Sequence, residues 1–549
     1  MDTPRRPPPF DRAEALERLA AEQFDVLVVG GGITGAGVAL DAASRGLRTA
    51  LVERDDFASG TSSKSSKLVH GGLRYLQQRE VGLVYEGLAE RQVALRNAPH
   101  LVRVLPFLIP VLTKDGVISR RLARALGGAL WMYDLTGGLR IGKRHKRVSS
   151  DQAVMHMPTL RADRVAGGYL YHDAHTDDAR LTLTLCRTAA AHGAVVANYA
   201  GVTSLRKDEK GRIRGARVQA DGDEVEVRAD VVVNAAGVWT DDVRALDEPS
   251  HPHSIRPAKG IHITVPWTKV RNDIAVVVPV AKDRRSVFVV PWGDLTYVGT
   301  TDTDYDGPLD DPECTPDDVA YLLRALNAVI TDPVREDDVL GTWAGLRPLL
   351  RTAANDRTAD LSRRHAVRRS EGGLVTVTGG KLTTYRRMAA DTVDEVDAVL
   401  GKRRRCRTKQ LKLIGADGYE DPPETNEPSR HEHLAHRYGT EGAEVEALVD
   451  QEPALGEPLV PGLPYLKAEA VHAVRSEMAR TLDDVLTRRT RARLLARDDS
   501  AAAAEVAAVL VGRELGWDDA ERARQVKEYR AAVAAERDAA DLPETQLGT

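Results

Sequence analysis

The sequence predicts an α/β fold: a parallel β-α-β domain, an interleaved mixed or antiparallel β-sheet domain, and a C-terminal α-helical cap. Three observations predict it. A complete β-α-β unit occupies Phe24 to Arg54, later apolar strands run into glycine turns, and residues 431–540 are rich in Ala, Glu, Arg and Leu in helical runs. In the first unit, Asp25-Val26-Leu27-Val28-Val29 is a short β-branched run, read as a buried parallel strand. It enters Gly30-Gly31-Gly32-Ile33-Thr34-Gly35. A helix over Ala36 to Arg45 follows, with Gly46 as its stop, and a second strand, Thr49 to Val52, ends at Glu53.

The pattern Gly30-x-Gly32-x-x-Gly35 meets the context test for a Rossmann-like dinucleotide fingerprint. Gly30 permits the tight turn. Gly32 lets the backbone approach a pyrophosphate, which helix N-terminal amides favour. Gly35 lets helix and sheet pack closely. Ile33 and Thr34 open that helix. Glu53 stands 18 residues after Gly35 and can accept hydrogen bonds from ribose hydroxyls, which disfavours a 2′-phosphate and so NADP. The unit alone leaves FAD and NAD both open.

The later strands are Ala229 to Asn234, ending at Ala235-Ala236-Gly237, and Leu374 to Thr378, ending at Gly379-Gly380 with a helix predicted over Lys381 to Ala390. Between them, Ile261–Val265, Ala275–Val280, Ser286–Pro291 and Thr296–Gly299 read as strands of a second sheet. The expected organisation is a mobile tail over 1–23 and a first domain from 24–92, 170–250 and 340–398. A substrate domain comes from 93–169 and 251–339, a linker spans 399–430, and the helical domain covers 431–540. The prolines of 4–9 suggest the tail. The linker is placed on the polar, proline-rich run 415–430.

Composition narrows the function. The 549 residues carry 77 basic and 81 acidic side chains, a net charge of −4, so the chain is no nucleic-acid polycation and no nucleic-acid partner is expected. Cys186, Cys314 and Cys406 form no CxxC pair, which argues against a disulfide framework and suits a cytoplasmic setting. The 15 histidines show no HExxH spacing, and no metal is expected. The N-terminus lacks a secretory signal. The apolar run Leu101–Leu112 is too short to span a bilayer and contains Arg103, Pro106 and Pro110.

Further motifs carry chemistry. Ser65, Ser66 and Lys67 offer hydroxyl, amide and cationic donors just after the ribose-reading strand, an extra cradle that suits an extended flavin cofactor. Arg74 follows Gly71-Gly72, and Arg347 sits in Gly345-Leu346-Arg347-Pro348. Guanidinium groups grip phosphate through paired hydrogen bonds. Lys381 follows Gly379-Gly380, where it can stabilise negative charge at a reduced flavin.

These segments together resemble the FAD-dependent, quinone-linked glycerol-3-phosphate dehydrogenases of the aerobic type. The resemblance is carried by Gly30–Gly37, Ser65-Ser66-Lys67-Leu68-Val69-His70-Gly71-Gly72-Leu73-Arg74-Tyr75-Leu76 and Asp177-Asp178-Ala179-Arg180-Leu181. Lys259-Gly260-Ile261-His262, Gly299-Thr300-Thr301-Asp302, Gly345–Leu349 and Gly379–Arg386 carry it further. Thr34 and Ala236-Gly237-Val238-Trp239 depart modestly from the family pattern. The resemblance implies bound FAD, held by Gly30, Gly32, Ile33, Thr34, Gly35, Glu53, Ser65, Ser66, Lys67, His70, Gly71, Gly72, Ala236, Gly237, Gly380, Lys381, Leu382 and Thr383. It implies oxidation of sn-glycerol 3-phosphate to dihydroxyacetone phosphate. Arg347 and Lys381 would face the substrate, with Arg74, Tyr75, His262 and Arg363 as further catalytic-site residues. His262 is favoured over His70 as general base.

The resemblance also implies electron transfer to a membrane quinone, in glycerol catabolism, from a peripheral position on the inner face of the cell membrane. A homodimer is the expected assembly. Residues 118–147 hold Arg120, Arg121, Arg124, Arg140, Lys143, Arg144, Lys146 and Arg147 against Asp134 alone, with leucines, Trp131 and Tyr133 among them. That composition suits anionic lipid, or equally a solvated basic face over a buried leucine stripe. A glycerol-3-phosphate oxidase using oxygen and a flavin-binding regulatory module stand as alternatives.

Overall fold

The computed structural model describes residues 10–73, 80–112, 120–137, 141–250, 253–280, 285–351, 365–423 and 429–548. Two sheets and a helical cap make up the molecule. The strand Gln23–Val29 lies at the centre of the first sheet, and its run of buried β-branched residues is what two covered faces demand. From one edge the order is Ala366–Arg369, Val375–Thr378, Asp223–Asn234, Gln23–Val29, Thr49–Val52, Val195–Ala197. All these neighbours are parallel except the outermost pair, Ala366–Arg369 with Val375–Thr378. The helix Ile33–Ser44 covers one face and is flanked by the helices Asp178–Ala191 and Tyr385–Val399. Its small residues (Gly35, Ala36, Gly37, Ala39) allow that close packing.

The second sheet runs Thr303–Asp304, Ile255–Pro266, Leu295–Gly299, Ser286–Trp292, Ala275–Pro279, Val102–Leu112, Val165–Thr176, Leu68–Val69. Gly341–Leu350 pairs with the far side of Ile255–Pro266. The sheet is mixed, because Ala275–Pro279 lies parallel to Val102–Leu112. The amphipathic helix Pro316–Asn327 packs its Val319, Leu322 and Leu326 into the apolar layer behind the sheet. The expected strand segments all appear, with Ile261–Val265 extended to Ile255–Pro266.

Three expected boundaries are corrected. The N-terminal segment is helical from Arg12 to Ala21 and anchored: Leu19 is fully buried, and Arg12 Nε donates to Asn198 O at 2.8 Å. The proline run masked a good helix former capped by Asp11, whose side chain accepts from Glu14 N. Gly341–Leu350, expected in the first domain, belongs to the second sheet, as do Leu68–Val69 and residues 170–176. Their partners are remote in sequence, so local pattern could not assign them. Within 399–430, residues 408–416 dock on the first domain. Leu413 is buried in the apolar core behind the first sheet, and Ile414 N donates to Thr188 Oγ1 at 3.2 Å.

The cap begins at Arg430 and builds its own apolar core from the helices Gly442–Gln451, Lys467–Glu477, Ala504–Leu515 and Asp519–Ala539. It joins the first domain through buried ion pairs. Asp56 accepts from Arg488 and Arg489, and Glu477 from Arg180. Burial disfavours each of these charges, but two guanidinium groups hold the Asp56 carboxyl below its ordinary range.

Candidate active site

One cavity of about 510 Å³ runs along the junction of the two sheets. Gly30, Gly32, Ile33, Thr34 and Glu53 line it, and so do His262, Arg347 and Lys381. The fingerprint glycines fit their assigned tasks. Gly30 has φ +111°, and a Cβ there would fall 2.7 Å from Ala235 O. A Cβ on Gly35 would stand 1.9 Å from Gly30 O, so helix and strand meet only because that position is bare. Gly35 thus shapes the turn without lining the cavity.

Glu53 sits at the end of its strand with Oε2 accepting from Gly31 N at 2.6 Å and Oε1 from Asp55 N at 2.9 Å. Burial raises its carboxyl to about 7 despite those two amides. Ser62 Oγ accepts from Ile33 N at 2.9 Å, tying the following loop to the helix start. The sequence reading passed over Ser62, although it stands in the serine-rich run. Ala236 and Gly237 line the cavity opposite, and Gly237 takes φ +61°.

The serine loop divides. Ser65, Ser66 and His70 line the cavity. Lys67 does not: with φ +55° it turns into the protein, where Nζ donates to Asp178 Oδ1 at 2.9 Å and Ser63 O at 3.0 Å. Its cation belongs to a buried cluster, and burial together with Arg491 lowers it to about 8. Gly71 and Gly72 also lie off the cavity and serve as backbone. Gly71 N donates to Tyr133 OH at 3.1 Å, and a Cβ at Gly71 would fall 2.6 Å from Leu88 side-chain carbons. His70 N donates to Thr383 Oγ1 at 3.1 Å, which joins the loop to the late motif. Gly380, Lys381, Leu382 and Thr383 all line the cavity. Lys381 precedes a short 3₁₀ turn, Leu382–Thr384, and the α-helix starts at Tyr385 rather than at Lys381.

Arg347 stands on Gly341–Leu350, opposite Ala258 in the pairing register. Its Nη1 donates to Asp302 Oδ1, and its Nη2 to Thr300 Oγ1 and Thr301 O, each at 3.1 Å. Gly260 leaves it room, because a Cβ there would lie 2.3 Å from Nη2. His262 is 2% exposed and stacks on Trp343, with ring centroids 4.7 Å apart and planes 8° apart. The register explains the stack: His262 and Trp343 are direct cross-strand partners. Burial first, then the Lys67 and Arg347 cations, hold His262 well below its ordinary range. Trp343 was not singled out in the sequence, and only strand pairing reveals it. Arg74, Tyr75 and Arg363 lie outside the described residues.

The residues fit an extended dinucleotide. Glycine turns that a Cβ would fill, an acidic strand end and the cations Arg347 and Lys381 share one cavity, and such a lining suits FAD. This fold and site define an FAD-dependent oxidoreductase. The family model described as FAD dependent oxidoreductase matches residues 25–386, and the one described as C-terminal domain of alpha-glycerophosphate oxidase matches residues 406–522. The chain is 43% identical over 542 residues to the glycerol-3-phosphate dehydrogenase of Mycobacterium leprae, covering 96% of this chain and 91% of that one. It is 37% identical over 553 residues to the human mitochondrial glycerol-3-phosphate dehydrogenase, covering 96% and 75%. The X-ray structure of the Bacillus halodurans glycerol-3-phosphate dehydrogenase complexed with FAD superposes with a TM-score of 0.77 at 31% identity, covering 98% of this chain and 99% of that one. The chain belongs to the FAD-dependent glycerol-3-phosphate dehydrogenase family.

Proposed function

We propose that this chain oxidises sn-glycerol 3-phosphate to dihydroxyacetone phosphate in glycerol catabolism and delivers the electrons to a membrane quinone. The observation that carries the reading is that Arg347, Lys381 and His262 line the same cavity as the nucleotide turn of Gly30, Gly32 and Glu53. FAD, when bound, supplies the hydride acceptor. Gly30, Gly32, Ile33, Thr34, Glu53, Ser65, Ser66, His70, Ala236, Gly237, Gly380, Leu382 and Thr383 would hold it.

Arg347 and Lys381 bind the substrate phosphate dianion. Asp302 and Thr300 fix the Arg347 fork, so less freedom is lost on binding. His262 accepts the C2 hydroxyl proton. Its ring is held neutral in the free protein by burial first and then by the Lys67 and Arg347 cations, and a phosphate dianion on Arg347 offsets one of those charges and makes the ring more basic. Trp343 and Gly299 hold the ring plane.

The quinone assignment draws support from an exposed face. Trp131, Met132 and Leu135 are 52%, 43% and 73% exposed, and Tyr85, on the helix that packs on theirs, is exposed as well. Lys143, Arg144, Lys146 and Arg147 are exposed nearby in the chain. Apolar and aromatic groups beside cations suit a peripheral seat on anionic lipid. Among the described residues no helix is long and apolar enough to cross a membrane. Substrate-reduced protein mixed with a soluble quinone and, separately, with oxygen tests the acceptor. Faster reoxidation by quinone is expected, and stoichiometric peroxide formed faster by oxygen would instead favour the oxidase, whose C-terminal family model this chain also matches.

A further inference from the structure

Two side chains span the nucleotide edge of the first sheet. Arg54 follows the strand Thr49–Val52 and Trp239 follows Asp223–Asn234, and these strands flank the central Gln23–Val29 on its two sides. All three strands are parallel, so Arg54, Trp239 and the turn at Gly30 leave the sheet at the same edge. Sheets of this kind bind dinucleotides in the crevice outside that edge. There the Arg54 guanidinium lies 5.1 Å from the Trp239 ring centroid, and both residues line the cavity. Glycines make room for them: a Cβ on Gly201 would fall 3.1 Å from Arg54 Cγ, and one on Gly60 2.9 Å from Trp239 Cζ3.

A third group ties this contact down from the second sheet. Residues 305–314 leave that sheet after Thr303–Asp304 and lead to the helix Pro316–Asn327. In this strap Asp310 Oδ1 accepts from Arg54 Nη2 at 2.7 Å and from Trp239 Nε1 at 2.9 Å. Asp311, next in the chain, lies 3.8 Å from Nζ of Lys64, which also lines the cavity. The strap holds its own shape. Tyr305 OH donates to Pro308 O at 2.8 Å, and Lys259 Nζ secures the far end by donating to Glu313 O at 3.0 Å. Asp310 and Asp311 are exposed, and neither lines the cavity. They grip the cavity wall from outside. Exposed ion pairs contribute little to folding, so the tip of the strap serves the crevice more than the fold.

We propose that residues 305–314 are a latch on the FAD crevice, with Asp310 as its catch: the Arg54–Trp239–Asp310 contact opens to let FAD enter or leave and is otherwise closed. This rests on FAD occupying the cavity and not on which substrate is oxidised. A latch and a direct ligand contact differ in their kinetics. Removing a contact speeds release alone. Removing a latch speeds release and uptake together, because association is slow when it waits on a conformational change.

The test compares full-length wild type, D310A, D310N and W239F. Uptake is read as quenching of FAD fluorescence after FAD is mixed with apo protein. Release is read as its return on dilution of the FAD-loaded protein, and folding as the Tm of the apo protein. D310A is expected to speed both rates about tenfold, the combined worth of one exposed ion pair and one hydrogen bond. D310N keeps an acceptor for Trp239, and W239F keeps a ring but loses the indole donor, so each is expected to speed both rates by about threefold. The apo Tm of D310A is expected to match the wild type's. Wild-type rates in both D310A and W239F overturn the proposal. So does faster release with unchanged uptake, the mark of a lost ligand contact. Wild type that takes up no FAD contradicts the cofactor assignment itself, whereas FAD bound and exchanged equally by every variant overturns the latch alone.

Discussion

Arg491 Nη2 donates to Asp178 Oδ1 at 3.0 Å, across 313 residues of sequence, and that pair ties the helical cap to the cofactor loop. Asp178 also takes Lys67 and both donors of Ser65, and Arg491 reaches Ser63 O. Both side chains are fully buried. The cap is thus a strut for the serine loop rather than an appended module.

Asp178→Ala leaves two buried cations without their carboxylate. A loss of about 3–5 kcal/mol is expected. The FAD content of purified protein should fall with it, because the Ser65–Ser66 segment loses its anchor. Thermal unfolding with flavin absorbance checks this, and an unchanged Tm with full FAD would contradict the strut.

Gly35→Ala places a Cβ against the Gly30 carbonyl. Backbone cannot give way as a side chain can, so the helix must shift from the strand and the turn must open. Destabilisation of about 1–3 kcal/mol or more is expected, with FAD binding lost first. Denaturant unfolding of the apo protein and FAD titration separate the two effects.

Glu53 gives a pH signature. Its carboxyl titrates near its ordinary 4.5 in the unfolded chain and is raised to about 7 when folded. From pH 4.5 upward the unfolded chain releases the proton while the folded protein keeps it, so stability from this group falls as pH rises and is lost by about pH 7. The apo protein should therefore lose Tm over that window, and Glu53→Gln should flatten the loss. Equal slopes for both proteins would show that Glu53 is not the source.

Arg347→Lys keeps the charge and loses the fork held by Asp302 and Thr300. A 10–100-fold rise in KM, about 1.5–3 kcal/mol, is expected from the lost charge-assisted bonds. Arg347→Ala should lower kcat as well. Steady-state kinetics with sn-glycerol 3-phosphate read both, and a wild-type KM in Arg347→Lys would remove Arg347 from phosphate binding.

Much of the first domain was legible because its signals are local. A strand, a glycine turn, a helix and an acid at the next strand end lie within Phe24–Glu53, and each acts where it stands. The second sheet was legible as strands but not as pairings. The contact of His262 with Trp343 depends on register between Ile255–Pro266 and Gly341–Leu350, which lie far apart in the chain. Lys67 shows the same limit from the other side: a cation beside two serines looks like a phosphate ligand until Asp178 and Arg491 are folded around it. The helix Arg12–Ala21 was hidden by the prolines before it, although Asp11 marked its start.

The central claim is that the cavity lined by His262, Arg347 and Lys381 oxidises a phosphorylated polyol. Anaerobic addition of sn-glycerol 3-phosphate to the purified, FAD-loaded protein, without quinone, tests it most directly. Bleaching of the flavin band to one reduced flavin per chain, with dihydroxyacetone phosphate formed in equal amount, is the predicted result. A bound flavin that stays oxidised at saturating substrate would contradict the claim.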